Sequence, residues 1–319
     1  MSDTLAVQVS EIVEESAAVR SLRLRRADGA AFGPFAAGAH IDVTGPTGIR
    51  RQYSLAGDPE DRSSLLIAVK REAESRGGSA ALHQAAVGDE LTIGPPRNLL
   101  GIAEGADRHL LVAGGIGVTP LLSMAYELHR RGADFALHYF VRSRAELAFG
   151  DLLERRAEFR DRVTLHIGRP RTEHPDILRP STATLSADSH VYTCGPVGFM
   201  DQVTAVFAPV VGETQVHVEH FSAQPVDASD NTPFTVELDT GEEFEIPADR
   251  SILSVLEEAG IPVAKSCEEG ICGSCVSGLL EGTADHRDHC LSAAEHAAGT
   301  EIALCVSRAR SDRLRIELY

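Results

Sequence analysis

The spacing of four cysteines near the end of the chain restricts its fold more than any other feature. Four residues separate Cys267 from Cys272, two separate Cys272 from Cys275, and Cys305 follows after 29 more. Thiolates at this spacing are typical ligands of a [2Fe–2S] cluster, and the glycines at 270 and 273 let backbone amides approach inorganic sulfur. Zinc usually takes paired Cys-x-x-Cys arms, and one arm here has a different spacing. The sequence therefore predicts an iron–sulfur cluster.

The segment around these cysteines has a regular order of predicted elements. Residues 234–238 alternate apolar and polar side chains, a turn follows at 239–242, and a second strand passes through Phe244 and Ile246. A helix is predicted over 251–259, closed by Gly260. Ligand spacing, hairpin and helix resemble a plant-type ferredoxin domain over residues 232–319, which implies an α+β, β-grasp fold. Cys290 lies outside the ligand spacing and is interpreted as a small buried side chain.

The rest of the 319-residue chain divides into two further patterns. Short alternating runs such as 19–24, 39–43 and 64–69 are separated by turn formers, which predicts an antiparallel β-barrel domain over 1–102. From His109 onward apolar strands alternate with helical stretches, including a predicted helix over 121–131, so an α/β domain with a parallel sheet is predicted over 103–224. The polar stretch 222–231 is interpreted as a linker to the ferredoxin-like domain.

Charge excludes one class of partner. The net charge is −17, with no Trp and 5% aromatic residues, so the cationic stacking surface that nucleic acids need is missing. Residues 225–319 carry 7 Lys/Arg and 19 Asp/Glu, a net charge of −12. This acidic segment suits docking onto a basic partner, and solubility explains it equally well.

No feature indicates export or membrane insertion. The first residues lack a basic stretch followed by an apolar one, which argues against a secretory signal. The most apolar run, 110–125, is short and interrupted by glycines, so no membrane association is expected. Six cysteines are too few for a disulfide scaffold, and a cytoplasmic location is therefore predicted.

A glycine-rich loop follows the first predicted strand of the α/β domain. The run 110–120 leads from an apolar strand through Gly114, Gly115 and Gly117 into a helix, where a pyrophosphate can approach bare backbone and the positive helix end. Its glycine spacing differs from the Rossmann fingerprint. At the end of the last apolar strand, 193–196 forms a Thr-Cys-Gly-Pro turn.

Two segments of the barrel domain are candidates for a flavin site. Residues 51–54 place an Arg, an aromatic ring and a hydroxyl at the end of a strand. Residues 76–79, Arg-Gly-Gly-Ser, combine converging backbone amides with a charge and a hydroxyl, as a phosphate requires. Each segment alone also suits an ordinary strand or glycine turn, and together they favour the flavin. A chain joining nicotinamide to a one-electron cluster needs such a cofactor to divide the electron pair.

Taken together, these motifs resemble the ferredoxin reductase superfamily, with its Arg-x-Tyr-Ser motif, Gly-Gly-x-Gly-x-Thr-Pro loop and Cys-Gly-Pro turn. The domain order resembles its phthalate dioxygenase reductase family, which implies FMN and favours NADH. The Arg142-Ser143-Arg144 stretch could bind the 2′-phosphate of NADPH instead. The resemblance implies cofactor-binding roles for Arg51, Tyr53, Ser54, Val69, Lys70, Arg76, Gly77, Gly78, Ser79 and Phe221 on the flavin side, and for Gly114, Gly115, Gly117, Thr119, Pro120, Arg142, Cys194, Gly195 and Pro196 on the nucleotide side.

The predicted function is electron transfer from NADH through FMN and a [2Fe–2S] cluster to a separate protein. Ser54, Thr119 and Cys194 are expected nearest the hydride transfer, with Cys194 packing there rather than acting as a nucleophile. The resemblance implies a terminal Rieske-type oxygenase of an aromatic hydroxylating or O-demethylating system as the acceptor. Two alternatives remain open: delivery to a haem-thiolate monooxygenase, and a non-catalytic iron–sulfur sensing protein.

Overall fold

The computed structural model describes residues 4–72, 77–222 and 228–319. The chain divides into two compact units, Met1–Glu219 and His220–Tyr319. None of the helices in these ranges has the length and apolar character needed to cross a bilayer.

The first part of the larger unit is a six-stranded antiparallel sheet in the order β4-β3-β6-β1-β2-β5. Its edge strands approach each other through an antiparallel bridge between Leu55 and Ile67, so the sheet curls into a barrel. Register shifts along β1 at Val9–Glu11 and Glu14–Ser16 add the local twist that this curvature needs. The elements are β1 (Leu5–Ser16), β2 (Val19–Arg26), β3 (His40–Thr44), β4 (Arg50–Ser54), β5 (Leu65–Lys70), α1 (Gly78–Leu82) and β6 (Glu90–Ile93).

The second part of this unit is a five-stranded parallel sheet in the order β11-β10-β7-β8-β9. All six residues of β7 are buried, as expected for a central strand covered on both faces. The chain moves from β7 outward through β8 and β9, then returns to place β10 on the other side of β7. The point between β7 and β10 is therefore a topological switch point, where ligands of such sheets bind beyond the carboxyl ends of the strands.

The elements of this second part are β7 (His109–Gly114), α2 (Val118–Arg130), β8 (Phe135–Val141), α3 (Gly150–Arg155), α4 (Ala157–Arg160), β9 (Val163–Ile167), α5 (His174–Leu178), β10 (His190–Cys194), α6 (Val197–Val211) and β11 (Val216–Glu219). Short 3₁₀ turns lie at Gly115–Gly117, Arg144–Glu146, Arg171–Glu173, Arg179–Thr184 and Glu213–Gln215.

The smaller unit contains a five-stranded mixed sheet, β13-β12-β18-β14-β16, and a two-stranded sheet, β15-β17. Helix α7 buries Ile252, Leu253 and Leu256 in the apolar core of this unit, and the Ser251 side chain caps its first turn by accepting from the Ser254 N–H at 3.1 Å. The elements are β12 (Phe234–Leu238), β13 (Glu243–Ile246), α7 (Ile252–Glu258), β14 (Val276–Glu281), β15 (Ala284–Asp285), α8 (Ala293–Ala298), β16 (Glu301–Ala303), β17 (Arg308–Ala309) and β18 (Arg313–Glu317).

The fold class predicted from the sequence is confirmed: an antiparallel barrel, a parallel α/β sheet and a ferredoxin-type α+β unit follow one another along the chain. Helix α2 begins at Val118, three residues before the predicted start. Pro120 is tolerated in the first turn because the N–H group that proline lacks would have no intrahelical partner there. The boundary between the first two predicted domains stays a prediction.

Candidate functional site

The four cysteines of the predicted cluster lie in and beside one loop of the smaller unit. Cys267, Cys272 and Cys275 are buried, Cys305 is half-buried, and all four are free thiols. Contact with Cys272 raises the pKa of Cys267, and the same contact lowers the pKa of Cys272 to about 5. Cys275 and Cys305 are in contact in the same way. The thiols therefore form two pairs.

The arrangement of these pairs distinguishes a two-iron cluster from a single zinc ion. Within the described ranges, no three of the four sulfur atoms lie within 4.8 Å of one another. Thiolates around one tetrahedral zinc, at about 2.3 Å from the metal, would be about 3.8 Å apart. Two separated pairs instead suit two irons with two thiolates each. The residues present thus fit a [2Fe–2S] cluster.

The backbone of the cysteine loop turns its N–H groups toward the sulfurs. Glu268, Gly270 and Gly273 have positive φ angles of 60°, 74° and 70°. The N–H of Glu269 donates to Cys267 Sγ at 3.3 Å, and the N–H of Ser274 donates to Cys272 Sγ at 3.4 Å. Such donors stabilise thiolates and, with exposure and net charge, set the potential of a cluster.

On the barrel, the structure brings the two flavin-site segments together. Arg51, Tyr53 and Ser54 lie on β4, and Gly78 packs against the Arg51 side chain so closely that a Cβ there would lie 2.9 Å from Arg51 Cγ. Burial raises the pKa of Tyr53 to about 12, against the opposing effect of Arg51, so its phenol keeps its proton as a hydrogen-bond donor. Gly77 has φ +104°, a conformation that favours glycine.

Helix α1 is anchored beside the end of β5. The His83 ring Nε2 lies 2.8 Å from the Val69 carbonyl oxygen, and Ser79 Oγ accepts from the Glu72 N–H at 3.3 Å. Lys70 forms a 2.7 Å ion pair with Glu72. The α1 N-terminus has no side-chain cap, so its first N–H groups, together with the Arg51 guanidinium, fit a phosphate. Arg76, predicted to contact the same phosphate, lies outside the described residues.

At the switch point of the parallel sheet, two loops pack backbone against backbone. A Cβ at Gly117 would lie 2.1 Å from the Cys194 carbonyl oxygen, and one at Gly114 would lie 2.9 Å from Phe199. Gly195 is close to the Gly114 backbone, 3.0 Å from its Cα by the same measure. These glycines let the β7 and β10 loops approach each other, which side chains at the same positions would prevent.

The loop after β7 leaves room for a ligand at the start of α2. Gly115 has φ +57°, and no atom lies within 4 Å of where its Cβ would be. Helix α2 has neither a side-chain cap nor an acidic residue in its first turn. The buried Thr119 hydroxyl donates to the Ile116 carbonyl at 3.0 Å and holds the loop. Open space, a helix start without a side-chain cap and a positive helix end fit a pyrophosphate.

A buried carboxyl, which sequence reasoning missed, lies beside Cys194. Glu219 ends β11 opposite Cys194 in the parallel register and is 8% exposed, and its Oε2 has no hydrogen-bond partner among the described residues. Burial raises the pKa of Glu219 to about 8. Burial also raises the pKa of the Cys194 thiol, and Glu219 adds to this, so the thiol stays protonated and packs as an apolar group. Only the sheet topology could have indicated this contact, since the carboxyl ends of neighbouring parallel strands lie at the same edge of the sheet.

Replacing Glu219 with Gln is expected to change how stability depends on pH. The carboxyl loses its proton near pH 4.5 in the unfolded chain and near pH 8 in the folded one, so its contribution is full below pH 4.5 and is lost as pH rises toward 8. The loss is about 1.4 kcal/mol per pH unit, or about 4 kcal/mol between pH 5 and pH 8. Urea unfolding of both proteins at these two pH values measures it. If the free energy of unfolding depended on pH in the same way for both proteins, the raised pKa assigned to Glu219 would be contradicted.

Arg142 and Phe221, two further residues predicted from the sequence, lie apart from the loops described above. Arg142 follows β8, is 81% exposed and forms a 3.0 Å ion pair with Glu146. This pair partly offsets the positive charge that the sequence placed there. Phe221 is 39% exposed and belongs to the smaller unit.

Comparison with known proteins agrees with this geometry. The family model described as 2Fe-2S iron-sulfur cluster binding domain matches residues 236–310. The chain is 43% identical to vanillate O-demethylase oxidoreductase of Pseudomonas putida, over 96% of this chain and 97% of that protein. The structure of phthalate dioxygenase reductase, described as modular for electron transfer from pyridine nucleotides to [2Fe-2S], matches with 40% identity and a TM-score of 0.71, covering 99% of this chain and 98% of that one. An intact type IV self-sufficient cytochrome P450 monooxygenase matches with 36% identity and a TM-score of 0.88, covering 98% of this chain but 41% of that one.

Proposed function

Because the chain belongs to the reductase family of vanillate O-demethylase oxidoreductase and phthalate dioxygenase reductase, we propose that it is the NADH-dependent reductase component of a terminal Rieske-type oxygenase. Electrons pass from NADH through FMN and a [2Fe–2S] cluster to that oxygenase, which hydroxylates or O-demethylates an aromatic substrate. One observation carries the proposal. The four cysteine thiols form two pairs, and the same chain contains a parallel sheet whose switch point is lined by glycines.

Each cofactor site has residues suited to holding its ligand. Arg51 and the backbone of Gly77 and Gly78 would hold the FMN phosphate, and Tyr53 and Ser54, at the end of β4, would contact the flavin. The bound flavin supplies the division of a hydride into single electrons, and the cluster supplies one-electron transfer. Val69 and Lys70, at the end of β5, would line the flavin.

At the nucleotide site the protein contributes position and shielding. The backbone from Gly114 to Gly117 and the first turn of α2 hold the NADH pyrophosphate. Cys194, neutral and fully buried, packs with Gly195 and Pro196 where the nicotinamide binds and keeps water away from the transferred hydride. Hydride transfer needs this proximity and no nucleophile.

We assign NADH rather than NADPH as the electron donor. The Arg142–Glu146 ion pair engages the guanidinium that a 2′-phosphate would require, and Glu146 adds a repelling negative charge. Both effects disfavour the phosphorylated nucleotide.

The acceptor is a separate protein, and the acidic smaller unit offers a surface for a basic docking site on it. Residues 225–319 carry a net charge of −12. A haem-thiolate monooxygenase is the second candidate acceptor, favoured by the match to the self-sufficient cytochrome P450 monooxygenase. We further assign three domains, 1–102, 103–224 and 232–319, and a reducing compartment, the cytoplasm, in which thiols remain available as ligands.

The proposed function is tested by the anaerobic visible spectrum of the pure protein before and after NADH, with the released flavin identified. We expect FMN and cluster absorption, both bleached by NADH, and rapid return of the cluster absorption on adding oxidised Rieske oxygenase. If the cluster absorption returned only after a haem-thiolate monooxygenase was added, the second candidate acceptor would be favoured. Absence of flavin absorption, with no NADH turnover by an artificial acceptor, would indicate a non-catalytic iron–sulfur protein instead.

A further inference from the structure

A second group of metal-ligand side chains lies in the smaller unit, apart from the four cluster cysteines. His286 and Asp288 follow β15, and His296 lies on α8. One donor atom from each of the three lies within 4.8 Å of the other two, and no other group of three such side chains in the described ranges meets this condition. The Asp288 side chain is fully buried, and His286 and His296 are 12% and 28% exposed.

The distances between the donors match those around a small tetrahedral ion. His286 Nδ1 lies 3.7 Å from Asp288 Oδ1, and His296 Nε2 lies 3.2 Å from Asp288 Oδ2. Ligands at about 2.0–2.1 Å from a tetrahedral zinc are about 3.3 Å apart. The three side chains therefore need only small adjustments to share one ion.

The donors are also available and held in place. His286 Nδ1 is buried with no hydrogen-bond partner among the described residues. Asp288 is fixed by the Ser307 hydroxyl and the Leu291 N–H, each donating at 3.0 Å.

The ligand on α8 is positioned by the start of that helix. Ser292 and Glu295 form a capping box, which fixes the first turn and hence the direction of His296. The Cys290 thiol donates to Asp288 Oδ2 at 3.4 Å and helps to hold that carboxylate in place.

We propose that His286, Asp288 and His296 bind one divalent transition metal ion of the zinc type, separate from the iron–sulfur cluster. Two imidazole nitrogens and one carboxylate favour zinc over calcium or magnesium. The ion would hold together the chain after β15 and helix α8. It would also brace the cysteine loop, since the His289 N–H donates to the Gly270 carbonyl at 2.8 Å and Gly270 packs against the Asp288 backbone.

The competing explanation is an ion pair without metal. His296 Nε2 lies 3.2 Å from a buried oxygen of Asp288 and can simply pair with it, with His286 stacked on His296 at 4.3 Å between ring centroids. A metal and a proton compete for the same nitrogen, so the two explanations predict opposite results in a zinc titration.

The test is equilibrium dialysis of the full-length protein, with FMN and cluster bound, against Zn²⁺ at pH 7.5, followed by metal analysis. We expect one zinc per chain, with unchanged cluster absorption and iron content showing that zinc has not replaced iron. His286→Asn and His296→Gln should each weaken zinc binding at least about tenfold, since each removes one of three protein ligands.

The control is His217→Gln, which removes one member of another stacked histidine pair, His190 and His217, whose ring nitrogens are 2.8 Å apart. This variant should bind zinc like the wild type. Equal zinc binding by all four proteins, or none at micromolar zinc, would overturn the proposal and leave the ion pair. Because the two substituted histidines are partly exposed, retained cluster absorption verifies that the variants fold.

Discussion

Replacing Cys272 with Ser is expected to reduce electron delivery to a one-electron protein acceptor below about 1% of the wild-type rate, because the cluster loses a thiolate ligand. Cys272 is 3% exposed, in contact with Cys267, and receives the Ser274 N–H. The position of Cys272 is therefore suited to a sulfur ligand. The flavin and nucleotide candidates on strands and helices of the larger unit are untouched, so NADH should still bleach the flavin. Stopped-flow absorbance measures flavin bleaching and acceptor reduction in the same sample.

The matched control is Cys290→Ala, which removes a buried thiol from the same unit without touching the four ligands. Cys290 is 8% exposed, and burial raises its pKa, so it behaves as a small apolar group. We expect this variant to keep its iron content and its acceptor reduction. Unimpaired acceptor reduction by Cys272→Ser would refute the electron path through the cluster.

The features that the sequence predicted best are those that depend only on residues close together along the chain. Strand β12 has the predicted bounds, because the alternation of apolar and polar side chains is a local pattern. The cysteine spacing is similarly informative, since short loops between ligands restrict which sulfurs can meet around a cluster. The glycines before α2 were assigned to a ligand loop for the same reason.

What the sequence did not predict arises from pairings between distant segments. Glu219 reaches Cys194 only because β11 pairs with β10 in a parallel register. Glu146 lies four residues from Arg142, and the 3₁₀ turn after β8 lets the two charges meet. The histidines of the proposed zinc site are ten residues apart and follow no strand or helix period. Their approach depends on the loop before α8.

Replacing Gly117 with Ala is expected to slow NADH reduction of the flavin about 100-fold, the effect of displacing reacting groups by about 1 Å. The new Cβ would lie 2.1 Å from the Cys194 carbonyl oxygen and 2.7 Å from the Gly195 nitrogen, both backbone atoms that cannot rotate away. The start of α2 must therefore move from the β10 loop. Gly117 has φ −62°, which alanine adopts freely, so the effect is steric and not backbone strain.

Gly132→Ala separates this clash from general strain. Gly132 lies just beyond α2 with φ +64° and no atom within 4 Å of its Cβ position, so alanine there is strained without any clash. It should cost about 1 kcal/mol of stability and leave flavin reduction unchanged. Single-turnover bleaching at several NADH concentrations resolves nucleotide affinity from the transfer rate, and bound FMN reports that the barrel is intact. If Gly117→Ala bleached its flavin as fast as Gly132→Ala, the contact between the two loops would have no part in positioning the nicotinamide.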